Sequence, residues 1–178
     1  MKIINTKFPG LKIIKQKNNI DNRGSLRETY NKKIIYFNNF CFEYCTTSKK
    51  NVLRGFHFQY KHQQSKLVTV VKGKILDLVI DLRRKSSTFG KSYSITLSEN
   101  NCKSLYIPRG FAHAYFSIQK MNIIYYKLSD YYDPKFKGGI YFNDKDINAK
   151  WPKTKLIVSK KDKLLGSFQN FKIKYKGL

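Results

Sequence analysis

Apolar and polar residues alternate with a period of two over much of the chain. Leu76, Leu78, Ile80 and Leu82 interleave with Asp77, Val79 and Asp81, and a run over Leu67–Val71 precedes them across Lys72-Gly73. Alternation of this kind places successive side chains on opposite faces of a strand, and a glycine-containing turn between two such runs predicts a hairpin. Further strands are predicted over Ile34–Phe37, Phe42–Thr47, Tyr93–Leu97, Ser104–Ile107, Ala114–Ile118 and Ile123–Leu128. Between them lie turn-rich pieces such as Ser86-Ser-Thr-Phe-Gly90 and Ser98-Glu-Asn-Asn101. Many short strands at this spacing point to an all-β sandwich or barrel. Helical periodicity is scarce: residues 155–165 are expected to form a short helix or turn. Phe171-Lys-Ile-Lys-Tyr-Lys176 reads as a lysine-protected edge strand or a loose tail.

The length of 178 residues, 41% hydrophobic and 15% aromatic, suffices for one domain around one core. There is no repeat or linker, and no apolar run long enough for a signal peptide or a bilayer span, so a cytoplasmic protein without membrane association is expected. Cys41, Cys45 and Cys102 make neither an even disulfide set nor a C-x-x-C pair, and are expected to be reduced structural thiols. The net charge of +25 would attract any polyanion. Only six of the 36 basic residues are arginine, however, and the lysines are spread along the whole chain. Base-reading surfaces favour arginine forks, so no nucleic-acid partner is expected.

The candidate chemistry sits in short polar motifs inside the strand pattern. His57 lies in Arg54-Gly-Phe-His-Phe-Gln59, Lys66 ends Gln64-Ser-Lys, and His113 closes Pro108-Arg-Gly-Phe-Ala-His. The last is the second half-motif of cupin barrels. A metal cupin would supply His-x-His and a glutamate in the first half-motif, whereas His57 is followed by Phe58 and Gln59, so no metal is expected. His62 stands in a basic polar loop and reads as a surface histidine.

A longer ordered series is more specific: Asp21-Asn-Arg23-Gly-Ser-Leu-Arg-Glu28, Val52-Leu-Arg-Gly-Phe-His-Phe-Gln59, Lys66-Leu-Val, Asp81-Leu-Arg83, Leu105-Tyr-Ile-Pro-Arg-Gly-Phe-Ala-His113, Tyr126-Lys127, Asp130-Tyr-Tyr132, Trp151-Pro152 and Ser159-Lys-Lys-Asp162. Across about residues 20–163 this resembles the dTDP-4-dehydrorhamnose 3,5-epimerase family. The resemblance implies a cupin-type jelly-roll barrel with short peripheral helices. It also implies inversion of C3, C5 or both in a nucleotide-linked 4-keto-6-deoxyhexose, without a cofactor, in deoxysugar synthesis for surface polysaccharide. A homodimer with exchanged N-terminal strands is implied as well.

By their motif positions, His57 would be the base, held by Asp162; Tyr126 the acid on the opposite face of the ring; and Lys66 the stabiliser of the enolate oxygen. Arg54 would meet the sugar and diphosphate. Arg23 and Glu28 would touch the nucleotide across the dimer interface. His113, in the same pocket as Lys66, would hydrogen-bond the sugar or order the base, Gln59 would contact the substrate, and Tyr132 would pack on the sugar or the nucleoside. The chain departs from the family most before Val52, where Phe42, Tyr44 and Thr46 replace a Gln-x-Asn-x-Ser pattern. The nucleotide is therefore open, with dTDP first and CDP or GDP behind it. A cupin-type ketoisomerase and a non-catalytic basic binding module are the rival readings.

Overall fold

The computed structural model describes residues 1–178, and strands dominate it. In chain order they are β1 (Lys2–Asn5), β2 (Lys12–Lys15), β3 (Asn18–Asp21), β4 (Gly24–Arg27), β5 (Phe42–Lys49), β6 (Val52–Gln59) and β7 (Lys66–Lys72). There follow β8 (Lys74–Asp81), β9 (Ser92–Ser98), β10 (Lys103–Ile107), β11 (Phe111–Ser117), β12 (Met121–Leu128), β13 (Lys137–Gly139) and β14 (Ile157–Val158). Two short helices, α1 (Lys160–Lys163) and α2 (Phe168–Tyr175), end the chain.

One sheet runs β1-β2-β10-β7-β12-β5 and the other β13-β6-β11-β8-β9, with β14 alongside β6. Val68, Val70, Leu105 and Ile124 of the first sheet meet Ile75, Val79, Leu97 and Tyr115 of the second in one buried cluster. That is the face-to-face packing of a jelly roll. The outer faces are covered too. Leu78, Ile80 and Ala112 of the second sheet lie under Ile140, Ile147, Phe168 and Phe171. Leu67 and Tyr106 of the first lie under Ile35 and the segment around it. Strand β8 is therefore buried on both faces: Leu78 and Ile80 point away from the barrel interior, while Val79 and the fully buried Asp77 share the face that looks into it.

Several expectations need correcting. The runs around Lys72-Gly73 form no hairpin, because β7 pairs with β10 and β12 whereas β8 pairs with β11 and β9. Gly73 is a corner between the two sheets. Its φ is +85°, and a Cβ there would lie 2.3 Å from the Met121 carbonyl oxygen, so only glycine fits. Ile34–Phe37 is not a strand. The Asn31 carbonyl accepts from the amides of Ile34 and Ile35, and its side chain accepts from the Lys33 amide, which coils the segment into a turn. The C-terminal run is helical: Phe168, Phe171 and Tyr175 recur at helical spacing over the second sheet while Ile173 stays exposed, and Ser167 caps the helix by accepting from the Asn170 amide. Within 155–165 the short helix is present as α1. Strands β1 to β4 had no alternation long enough to announce them. All three cysteines are free, but only Cys102 is buried, so Cys41 and Cys45 are surface thiols and not structural ones. No helix is long and apolar enough to cross a membrane.

Candidate active site

Antiparallel pairing of β6 with β11 sets His57 directly opposite His113. Alternation then turns both rings to the same face of the second sheet. The backbone here is unusually tight. Gly55 has φ +115°, and a Cβ on it would lie 2.5 Å from the His113 carbonyl oxygen and 2.6 Å from the Ala114 side chain. The glycine of Arg-Gly-Phe-His is what lets the two histidine-bearing strands approach.

Each histidine holds its own carboxylate. The parallel pairing of β14 with β6 delivers the Ser159-capped helix α1 against the middle of β6. Asp162 Oδ1 thereby lies 2.7 Å from His57 Nε2, and the Gly55 amide donates to Asp162 Oδ2 at 3.3 Å. Burial works against the Asp162 charge. The bonds from His57, Gly55 and Ser159 outweigh it and hold the carboxyl below its ordinary range. An ionised Asp162 can only accept, so it fixes the neutral imidazole with its proton on Nε2 and leaves Nδ1 basic.

The second pair is deeper. His113 Nε2 lies 2.8 Å from Asp77 Oδ2, both side chains being at most 5% exposed. Burial pushes the Asp77 carboxyl up, opposed by His113 and then Lys66, and Asp77 Oδ1 has no partner. Asp77 is the residue that sequence reasoning missed. The only signal was an acid inside an apolar strand, and its partner depends on how β8 and β11 register.

Lys66, at the start of β7, is half-buried. Desolvation pushes its ammonium down to about 8 in spite of the Asp77 charge. His57, Gln59, Lys66 and Tyr132 line one cavity of about 230 Å³, together with Tyr44 and Gln64.

A strand-rich jelly roll, a carboxylate-held histidine and a desolvated lysine around one cavity are now in place, and residues 5–170 match the family model for dTDP-4-dehydrorhamnose 3,5-epimerase. The chain belongs to that family. It is an isomerase. A family member from Methanothermobacter thermautotrophicus, named dTDP-4-dehydrorhamnose 3,5-epimerase, is 37% identical over 169 residues, 91% of each chain. The crystal structure of the epimerase from Elizabethkingia anophelis superposes with a TM-score of 0.90 at 35% identity, covering 96% of this chain and 97% of that one. The 3,5-epimerase from Legionella pneumophila, solved in complex with dTDP-4-keto-L-rhamnose, superposes with a TM-score of 0.90 at 33% identity, over 94% of this chain and 93% of that one.

Within this epimerase fold the remaining sequence-predicted residues fall into four places. Tyr126, on β12, is 3% exposed and its ring sits 6.1 Å from that of His113. Burial, the Tyr115 and Tyr44 hydroxyls and Asp77 raise its phenol well above the ordinary value, with Thr46 offsetting a little, so it keeps its proton at neutral pH. Arg54 is exposed at the other end of β6, and its Nε donates to Ser48 at 3.3 Å. Gln59 is spent on backbone: its amide donates to the His62 and Tyr131 carbonyls and its carbonyl accepts from the Asp133 amide, tying together the loops that flank the cavity. Arg23 and Glu28 are not in the cavity. The Arg23 side chain is 85% exposed and pairs with Asp21, while Glu28 accepts from Asn31.

Proposed function

We propose that this chain, acting as a single domain, epimerises a dTDP-linked 4-keto-6-deoxyhexose at C3, C5 or both, with His57 as base, Tyr126 as acid and Lys66 as the enolate stabiliser. The observation that carries the reading is the His57–Asp162 contact of 2.7 Å on the wall of a cavity that also holds Lys66. A proton next to a ketone is removed when a base meets it and the oxygen is stabilised as negative charge develops. The C–H proton passes to His57 Nδ1, Asp162 stabilises the resulting imidazolium, and the electron pair moves into the C4 oxygen against the Lys66 ammonium. The Tyr126 hydroxyl then gives its proton to the opposite face of the same carbon; the imidazolium of His57 releases its proton to solvent and the Tyr126 phenolate takes one up, which restores the enzyme. No electrons leave the system, and none of these steps needs a cofactor.

The dTDP assignment follows relatives named for that nucleotide, one of them solved with dTDP-4-keto-L-rhamnose. Arg54 would meet the diphosphate and sugar, with Tyr132 and Gln59 shaping the sugar pocket and His113 ordering it from behind. Arg23 and Glu28 would serve the nucleotide of a partner subunit in a homodimer. The three unpaired thiols suit a reducing cytoplasm, where the product would feed deoxysugar assembly for surface polysaccharide.

The test is incubation with dTDP-, CDP- and GDP-linked 4-keto-6-deoxy sugars in heavy water, with deuterium followed at C3 and C5 by NMR. Exchange with inversion, preferring dTDP, is expected. A shifted carbonyl would identify a ketoisomerase, and absence of exchange with every donor would leave a binding role.

A further inference from the structure

The proposed acid does not reach the cavity. Tyr126 is 3% exposed, and the wall of the cavity on its side is supplied by Tyr44, which stands directly across from it in the β5–β12 pairing. The two rings are stacked, centroids 4.8 Å apart and planes 23° from parallel. Tyr44 is 37% exposed, sits on an edge strand, and its hydroxyl makes no hydrogen bond; the Tyr115 hydroxyl behind it is held by both Thr46 and Ser48. The Tyr126 ring is thus fixed in the barrel, whereas Tyr44 is tethered only by ring contacts, the stack on Tyr126 and a tilted contact with Phe42 at 5.7 Å. Ring contacts without a hydrogen bond are weak enough for an entering sugar to displace them.

We propose that Tyr44 is a movable screen over Tyr126 and so a specificity-determining residue of the epimerase: it sets how often an enolate formed at His57 is reprotonated from the Tyr126 side rather than from the side it came from. The inference rests on the catalytic reading above. After His57 has taken the proton, the enolate has two fates. Return of a hydron from His57 restores the original configuration and leaves only solvent label. Transfer of the Tyr126 hydroxyl proton to the opposite face breaks the O–H bond, forms the new C–H bond and inverts the centre. A ring parked between Tyr126 and the sugar slows the second fate and leaves the first untouched. Tyr44 acts through its bulk, and its hydroxyl is not needed.

In heavy water, the quantity to measure is the ratio of inverted product to labelled but uninverted substrate at C3 and at C5, for the wild type, Tyr44→Phe, Tyr44→Ala and Tyr44→Trp. Tyr44→Phe keeps the wild-type ratio. Tyr44→Ala raises it by roughly threefold or more, about 0.7 kcal/mol of barrier difference, and Tyr44→Trp lowers it. The alanine effect vanishes on a Tyr126→Phe background, because the screen matters only if the acid behind it is present. Wild-type ratios in all three variants, or an alanine effect that survives Tyr126→Phe, would overturn the proposal. So would a Tyr44→Phe ratio displaced as far as that of Tyr44→Ala. Label uptake is the control for folding, and it is independent of the ratio. If the wild type takes up no label at all, the catalytic reading fails first and the screen falls with it.

Discussion

Among the side chains, two histidines sit opposite each other and differ in where their carboxylates leave them. His57 has 38% of its side chain open to the cavity and a paired Asp162 at 8%; His113 is sealed at 5% with Asp77 at 0%. A base must reach the bound substrate, so the open one is the proposed base and the sealed one a support. His57→Asn keeps hydrogen-bonding capacity but removes the basic nitrogen. Deuterium uptake should fall by roughly 10²–10⁴-fold with binding of the nucleotide sugar little changed, and unaltered uptake would remove His57 from the mechanism.

Lys66 supplies a prediction with a definite sign. Its desolvated ammonium, pushed down to about 8, is charged at neutral pH and loses its proton as the pH rises through that value. The enolate oxygen then loses its counter-charge, so kcat/KM, which reports the free enzyme, should fall above about pH 8. Stability moves the other way. Between about 8 and the ordinary lysine value of 10.5 the unfolded chain binds more protons than the native one, so unfolding free energy gains from this group as pH rises. Lys66→Met should flatten the alkaline limb while lowering kcat/KM by roughly 10²–10³-fold. A variant whose alkaline limb matches the wild type would assign that limb elsewhere.

At the scale of elements, most of the barrel could be read from the chain, and the failures have a common cause. Strands β5, β9, β10, β11 and β12 are found where alternation or apolar richness marks them, within a few residues. Motif order likewise named His57, Lys66 and Asp162 before their proximity was visible. What alternation cannot report is which sheet a strand joins: Lys72-Gly73 looks like a hairpin turn but is a corner, because the decision is made by Asn122 and Glu99 bonding to the backbone there. It also could not place Asp77 beside His113, which takes the β8–β11 register, or foresee Tyr44 over Tyr126, which takes the β5–β12 register. The C-terminal run misled because lysine at every second residue mimics an edge strand, whereas Phe168 and Phe171 obey a helical period and have a surface to cover. That surface is the outer face of the sheet carrying His57 and His113. Phe171 is 3% exposed and touches Phe58 edge-on at 5.4 Å. Phe171→Ala should therefore cost about 3 kcal/mol and lower the melting temperature by roughly 6–12 °C, as read by thermal denaturation. Loss of less than about 1 kcal/mol would show that α2 is an ornament on the sheet.

For the whole molecule, the charge and the N-terminal hairpin have to be considered together. The β3–β4 pair joins neither large sheet, yet it exposes Ile20 at 78% and Leu26 at 69%, and Asn18 Oδ1 at its base is buried without a partner. Arg23 and Glu28, expected at the nucleotide, are carried on or just after this hairpin and stay outside their own chain's cavity. The register sets Leu26 on the face opposite to Ile20 and Arg27, the face turned away from its own chain, so docking the hairpin on a second copy would bury Leu26 and offer Arg23 and Glu28 to that copy's substrate. Two chains of +25 repel one another, and screening weakens that repulsion as the Debye length shrinks from about 30 Å at 0.01 M to about 8 Å at 0.15 M salt. If the chain pairs as proposed, salt should thus strengthen that pairing while it weakens capture of the anionic nucleotide sugar, two trends of opposite sign in one protein. In sedimentation velocity the protein should run at twice the 21.0 kDa chain mass, with the dimer fraction rising from 0.01 to 0.15 M salt. Leu26→Asp should shift it to monomer, and kcat/KM should fall even though every residue lining the cavity is intact. A Leu26→Asp protein that stays dimeric, or a monomer with unchanged kcat/KM, would show that the hairpin completes no neighbour's site and that Arg23 and Glu28 have no part in binding.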